Sequence, residues 1–203
     1  MTAKYMDRFL KPRASSTTAS TASTAYAPAP ATAPKITLDA FVANLPAPVM
    51  PIEAFTDGAC PSNGRHAKIA GAGVAFPERP DLNVSETIRD HPTNNRGELT
   101  AILRALEVAD NKIDPARRRP IIIYTDSQLC IDSFTKWIDG WKKNNWMKKD
   151  KTPVLNDDLL KAVDARMQRR RVTFVHVRAH TGKKDRSSVM NALADELATG
   201  ACK

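Results

Sequence analysis

A chain of 203 residues that is 42% hydrophobic has room for one domain with a buried core. Its formal charge of +9 points to a polyanionic partner, nucleic acid first, and no apolar run approaches the length of a membrane span. Three cysteines (Cys60, Cys130 and Cys202) have no metal-ligand spacing and are an odd number. That argues against a disulfide framework and for a reducing, intracellular setting, with nucleus or cytoplasm ahead of mitochondrion.

From Met1 to about Pro51 the chain is dominated by Ala, Thr, Ser and Pro, with no sustained helical or strand period. Such a segment buries too little apolar surface to offset its ordering entropy, so residues 1–51 are predicted to be a disordered arm and 52–203 the folded domain. Ile52 to Thr56 reads as a strand, and Ala70 to Phe76 and Leu82 to Ile88, separated by Pro77-Glu78-Arg79-Pro80, as two more in an antiparallel meander. Leu99, Ile102, Leu103 and Leu106 fall at i, i+3, i+4 and i+7, which predicts an amphipathic helix from near Asn95. Ile121 to Thr125 is a strand, and a helix is expected from Ser127 to Trp137. After a Trp- and Lys-rich stretch to Lys151 come a helix over 156–170, a strand over 172–177 and a final helix over 191–199. The order implies an α/β fold: a five-stranded mixed sheet flanked by helices.

Four acids stand out. Asp57 and Asp126 each end an apolar strand beside a small residue, Gly58 or Ser127, which leaves space for a metal or phosphate to approach. Ligands gather at the carboxyl ends of parallel strands, so the two can meet around one substrate, although strand-ending aspartates are also ordinary turn residues. Glu98 lies on the same helix side as Ile102, and Asn95-x-x-Glu98 also has the form of a capping box. Asp195 sits in Asn191-Ala192-Leu193-Ala194-Asp195, where a solvated helix face is the local alternative.

Together these segments resemble the type 1 ribonuclease H family over about residues 53 to 200. Phe55-Thr56-Asp57-Gly58 is similar to its first catalytic strand, Thr93-Asn94-Asn95-Arg96-Gly97-Glu98-Leu99 to its helix-start motif and Thr125-Asp126-Ser127 to its second aspartate. The stretch from Trp137 to Trp146 resembles its basic protrusion, and His176-Val177-Arg178-Ala179-His180-Thr181-Gly182 its histidine loop. The resemblance implies a ribonuclease H-like fold and an endonuclease that cuts the RNA strand of RNA/DNA hybrids by a two-metal-ion mechanism. Asp57, Glu98, Asp126 and Asp195 would hold two Mg²⁺ ions, with Mn²⁺ as a substitute, and His180 would handle protons or help product leave. Asn63 and Asn95 map to positions touching the RNA strand, and Thr93 and Asn156 to a pocket for a DNA-strand phosphate, where His91 stands in place of the expected arginine. Trp137, Trp141 and Trp146, with Lys142 and Lys143, would meet sugars and phosphates of the hybrid. Two departures are a loop after His180 about five residues longer than expected and Met190 in place of a glycine before Asn191.

Arg117-Arg118-Arg119 and Arg169-Arg170-Arg171 precede strands whose other ends carry the site, and are expected to be solvated charge or a secondary contact. In the arm, Met6 to Leu10 and Ile36 to Val42 each place an apolar residue three positions before a Phe, similar to peptides that dock on sliding clamps. The competing expectation takes Met1 to Arg13 as the start of an organelle transit peptide. The enzyme is expected to be a monomer. The alternatives are a catalytically weak hybrid-binding module and a ribonuclease H-like DNA nuclease.

Overall fold

The computed structural model describes residues 49–63, 66–179 and 182–203. Both arm motifs, at Met6 to Leu10 and Ile36 to Val42, and His180 lie outside the described residues. Five strands form one sheet: β1 (Ile52–Ala59), β2 (Ala70–Ala75), β3 (Val84–Ile88), β4 (Ile121–Thr125) and β5 (Val172–His176), in the order β3-β2-β1-β4-β5. β3, β2 and β1 pair antiparallel, whereas β1, β4 and β5 run parallel. The helices are α1 (Asn94–Val108), α2 (Gln128–Asp132, continued by a π-helical turn to Trp137), α3 (Ile138–Lys143), α4 (Asp157–Met167) and α5 (Arg186–Gly200). The mixed five-stranded sheet is the expected one.

Alternation along β1 divides its side chains between two layers. Ile52 and Ala54 join the large core with Leu99, Ile102 and Leu106 of α1, so the predicted leucine stripe faces the sheet. Phe55 faces the other way, into a small cluster with Ala75 and Ala194, and stacks on Tyr124 with ring centroids 4.4 Å apart. β2 is wholly buried and built of small residues, Ala70-Gly71-Ala72-Gly73-Val74-Ala75, because helices press on both of its faces.

Several expectations need correction. β1 does not end at Asp57 but runs on to Ala59, because beyond the last pair with β4, Phe55 with Tyr124, it still pairs with β2, Asp57 opposite Gly73. The Trp- and Lys-rich stretch contains the short helix α3. α5 starts at Arg186 rather than near Asn191: Asp185 Oδ1 accepts from the Ser188 backbone N–H at 3.1 Å and caps the helix, so the surplus length after His180 is taken up in an additional helical turn. Arg170 is not solvated. Its guanidinium is buried and pairs with Asp110 at 2.9 Å and Asp114 at 3.0 Å, and it also donates to the carbonyl of Asp114. Arg119 pairs with Glu78 at 2.8 Å. These contacts tie the end of α1 to the start of β4, at the sheet end away from Asp57.

Gly58 is placed by α1. A Cβ on it would lie 2.2 Å from the Glu98 nitrogen and 2.6 Å from the Gly97 carbonyl carbon. The Cβ side of Gly58 is therefore filled by the helix backbone, while the residue still lines a cleft beside Asp57. Gly58→Ala is expected to destabilise the fold by ~3 kcal/mol, the upper part of the overpacking range, since backbone cannot move aside as a side chain can. Gly140→Ala, with nothing within 4 Å of the added methyl, should be neutral or stabilising. Paired thermal melts check this, and equal melting temperatures for the two variants would contradict the seating of α1 on Gly58.

Candidate active site

The carboxyl end of the sheet collects acids from four elements. Asp57 comes from β1, Asp126 follows β4, Glu98 comes from the first turns of α1 on one face and Asp195 from α5 on the other. Ligand oxygens of Asp57, Glu98 and Asp126 all lie within 4.8 Å of one another. Asp195 lines the same cleft, of about 460 Å³. Its helix is seated as closely as α1 is: a Cβ on Gly73, the register partner of Asp57, would lie 2.1 Å from the Ala194 carbonyl oxygen. The four predicted carboxylates are thus brought together.

Their local alternatives can be judged directly. α1 is capped by Thr93, whose hydroxyl accepts from the Arg96 backbone N–H at 3.1 Å, so Glu98 is not the partner in a capping box. Glu98 is 5% exposed, and its Oε2 has no hydrogen-bond partner. Asp57 is also buried and accepts from the Gly58 N–H at 2.7 Å. Burial, then the charges of Asp57 and Asp126, push the Glu98 carboxyl up to about 9. Burial, then the charge of Asp126 and further that of Asp195, push Asp57 up to about 7. An anionic cluster with a buried, unpartnered carboxylate oxygen and no basic residue in its walls fits a hard divalent cation, which takes oxygen ligands. Cys60, Asn94 and Thr199 also line the cleft. The sequence offered only the position of Cys60, three residues after Asp57, as a signal for them.

A second cleft lies beside α1, lined by Asn63, His91, Thr93, Asn95, Arg96 and Asn156 among others. It gathers the residues expected to meet the RNA strand and the DNA phosphate. Asn63 Oδ1 accepts from the Asn94 N–H at 3.2 Å, so its side chain already braces the helix start. Asn156 stands in the left-handed region, φ 57°, and its Oδ1 accepts from Arg96 at 3.4 Å. Arg96, not singled out from sequence, makes a two-point pair with Asp158 at 2.7 and 3.1 Å. His91 projects from the rim beside Asp90, 3.5 Å away.

In the protrusion, Trp137 is 41% exposed and lies 5.7 Å from Trp141. Trp146 is half-buried against the core with Lys161 over its ring at 5.0 Å, and Lys142 pairs with Asp164 at 2.8 Å. Trp137 and Lys143 therefore present the open surface, Trp141 like Trp146 is half-buried against the core, and Trp146 and Lys142 touch α4.

Comparison with known proteins bears on the family and the fold. The RNase H family model matches residues 50–203. Ribonuclease H of Dechloromonas aromatica (strain RCB) is 40% identical over 152 residues, covering 72% of this chain and 90% of that one. Human Ribonuclease H1 is 34% identical over 144 residues, 71% of this chain but 47% of the human protein, so the chain spans about half of that relative. The crystal structure of LC9-RNase H1, a type 1 RNase H with the type 2 active-site motif, superposes with a TM-score of 0.60 at 25% identity, over 77% of this chain and 74% of that one. The solution structure of the PFV RNase H domain shares the fold, with a TM-score of 0.57 at 23% identity over 74% of this chain and 93% of that one.

The raised carboxyls fix a pH signature. Their ordinary values are 3.8 for Asp57 and 4.5 for Glu98, so the metal-free native state holds protons that the unfolded chain has released, and stability falls as pH rises from there through about 7 and 9. A cation displaces those protons, so Mg²⁺ should stabilise more at pH 9 than at pH 6. The expected result is a melting-temperature gain on Mg²⁺ addition that grows over this range and is reduced in Glu98→Gln. A gain that is flat with pH, or one undiminished in Glu98→Gln, would contradict a metal site that includes the buried Glu98 carboxylate.

Proposed function

The chain belongs to the type 1 ribonuclease H family, whose members hydrolyse the RNA strand of RNA/DNA hybrids, and we propose that it does so at the Asp57, Glu98, Asp126 and Asp195 cleft with two Mg²⁺ ions, for which Mn²⁺ can substitute. The observation that carries this is the convergence of Asp57, Glu98 and Asp126, whose ligand oxygens lie within 4.8 Å of one another, with a buried Glu98 oxygen left without a partner. Such ions, when bound, activate a water for in-line attack and stabilise the departing oxygen. Asp57, between the other acids, would serve both ions, Glu98 and Asp126 one, and Asp195 the other. His180, on the loop before α5, would handle a proton or release product.

The second cleft supports the choice of polymer. Asn63 and Asn95 would answer the ribose 2′-hydroxyl, which both donates and accepts. Thr93, Asn156 and Arg96 would hold a phosphate of the DNA strand, with Trp137, Trp141 and Lys143 against its sugars and phosphates. Trp146 and Lys142 would join that surface, steadied by their contacts with Lys161 and Asp164 of α4. For the arm, the reading is a leash over residues 1–51 that tethers the nuclease domain of 52–203 to a sliding clamp. No helix among the described residues is long and apolar enough to cross a membrane.

Matched RNA/DNA, RNA/RNA and DNA/DNA duplexes, with Mg²⁺ or EDTA, test the activity. The hybrid alone should be cut at an appreciable rate, only with the metal, and Asp126→Asn should lower kcat by about 10²–10³-fold, the loss of several kcal/mol of charge stabilisation. Cutting that persists in EDTA, or equal cutting of the three duplexes, would contradict the proposal. Hybrid binding without cleavage would favour the binding-module alternative.

A further inference from the structure

Among the described residues three buried side-chain atoms have no hydrogen-bond partner: Glu98 Oε2, Arg117 Nε and Asn191 Oδ1. Buried polar groups in folded proteins are nearly always paired, so each needs an account. Arg117 Nε lies 3.4 Å from Asp110 Oδ1 and is answered by charge. Glu98 belongs to the proposed metal cluster. Asn191 is 4% exposed, and neither the fold nor the reaction as described above uses it.

Its position is informative. Asn191, Ala194 and Ala198 are the buried residues of α5, and an alanine at 191 would extend that stripe without burying a polar group. Asn191 stands one helical turn before Asp195, and residues four apart on a helix are side-chain neighbours. The two line a common cleft of about 260 Å³, with Arg178 on its wall, while Asp195 also lines the acid cleft. Asp195 is thus the residue that the two clefts share. An amide oxygen accepts and cannot donate, so what Oδ1 lacks is a donor. Phosphate oxygens only accept. Water in the coordination sphere of a cation donates strongly, and residues that hold such ligands from behind tune metal affinity.

We infer that Asn191 is a positioning residue for the ion proposed at Asp195, its side-chain oxygen accepting a hydrogen bond from a water on that ion. The inference rests on the two-ion reading above. An ordinary trapped water would satisfy the same oxygen but would leave metal affinity independent of residue 191.

Mn²⁺ binding to the full chain, followed by electron paramagnetic resonance of the free ion, is measured together with the melting temperature in EDTA for wild type, Asn191→Leu and Asn191→Asp. In Asn191→Leu the dissociation constant of one Mn²⁺ site should rise by about tenfold or more. The metal-free melting temperature should not fall, because a buried unpaired acceptor has been removed. Asn191→Asp keeps an acceptor oxygen and should bind Mn²⁺ at least as tightly as wild type. Unchanged Mn²⁺ affinity in Asn191→Leu, with or without a drop in melting temperature, would overturn the inference in favour of packing or a trapped water. If Asn191→Leu does not fold, weaker Mn²⁺ binding by Asn191→Asp would overturn it. Wild type that binds no Mn²⁺ would instead remove the metal reading on which it rests.

Discussion

Backbone approach at glycine sets the geometry of this protein. α1 touches β1 at Gly58 and α5 touches β2 at Gly73, each at a distance that no side chain allows. Those two contacts bring Glu98 and Asp195, from opposite faces of the sheet, to the end where β1 and β4 already present Asp57 and Asp126. A helix seated an ångström or two farther out would separate the carboxylates, and the cleft would no longer be a cage for a small cation. The packing of small residues along β2 is therefore a requirement of the chemistry as well as of the core.

The same approach has an electrostatic consequence. Buried acids at close range repel, and burial itself disfavours their charge, so the metal-free site opposes its own ionised form. At the other end of the sheet the charges are complementary. Arg170, with Asp110 and Asp114, closes a buried ionic knot where α1 ends and β4 begins, and removing one partner of such a knot typically costs about 3–5 kcal/mol. One end of the sheet is internally neutralised, and the other gathers charges of one sign. That polarity distinguishes a structural cluster of charge from a functional one.

What could be read from sequence followed from local pattern. The stripe of Leu99, Ile102, Leu103 and Leu106 marked α1, the apolar runs marked β1 and β4, and the motif order placed all four acids. What could not be read depends on partners distant in the chain. Gly58 read only as room for a ligand, and it does line the acid cleft, but its seating of α1, forty residues on, is invisible at that position. Arg170 looked solvated within an arginine run because Asp110 and Asp114 lie about sixty residues earlier. The contacts of Trp146 with Lys161 and of Lys142 with Asp164, both across to α4, were likewise invisible from the local pattern. Asn191, in a motif already recognised, carried no periodic signal for an unpaired oxygen. Local period locates elements, whereas the accounting of buried polar atoms locates function.

The central claim is that Glu98 belongs to a buried carboxylate site completed by a cation. Carbon-13 NMR of the labelled Glu98 carboxyl, titrated in EDTA and again with saturating Mg²⁺, addresses it at the atom concerned. The account predicts a metal-free midpoint near the value of about 9 that burial and its neighbours impose, and a carboxylate that with Mg²⁺ stays ionised well below neutrality. A metal-free midpoint in the ordinary glutamate range, or one that Mg²⁺ does not move, would contradict it.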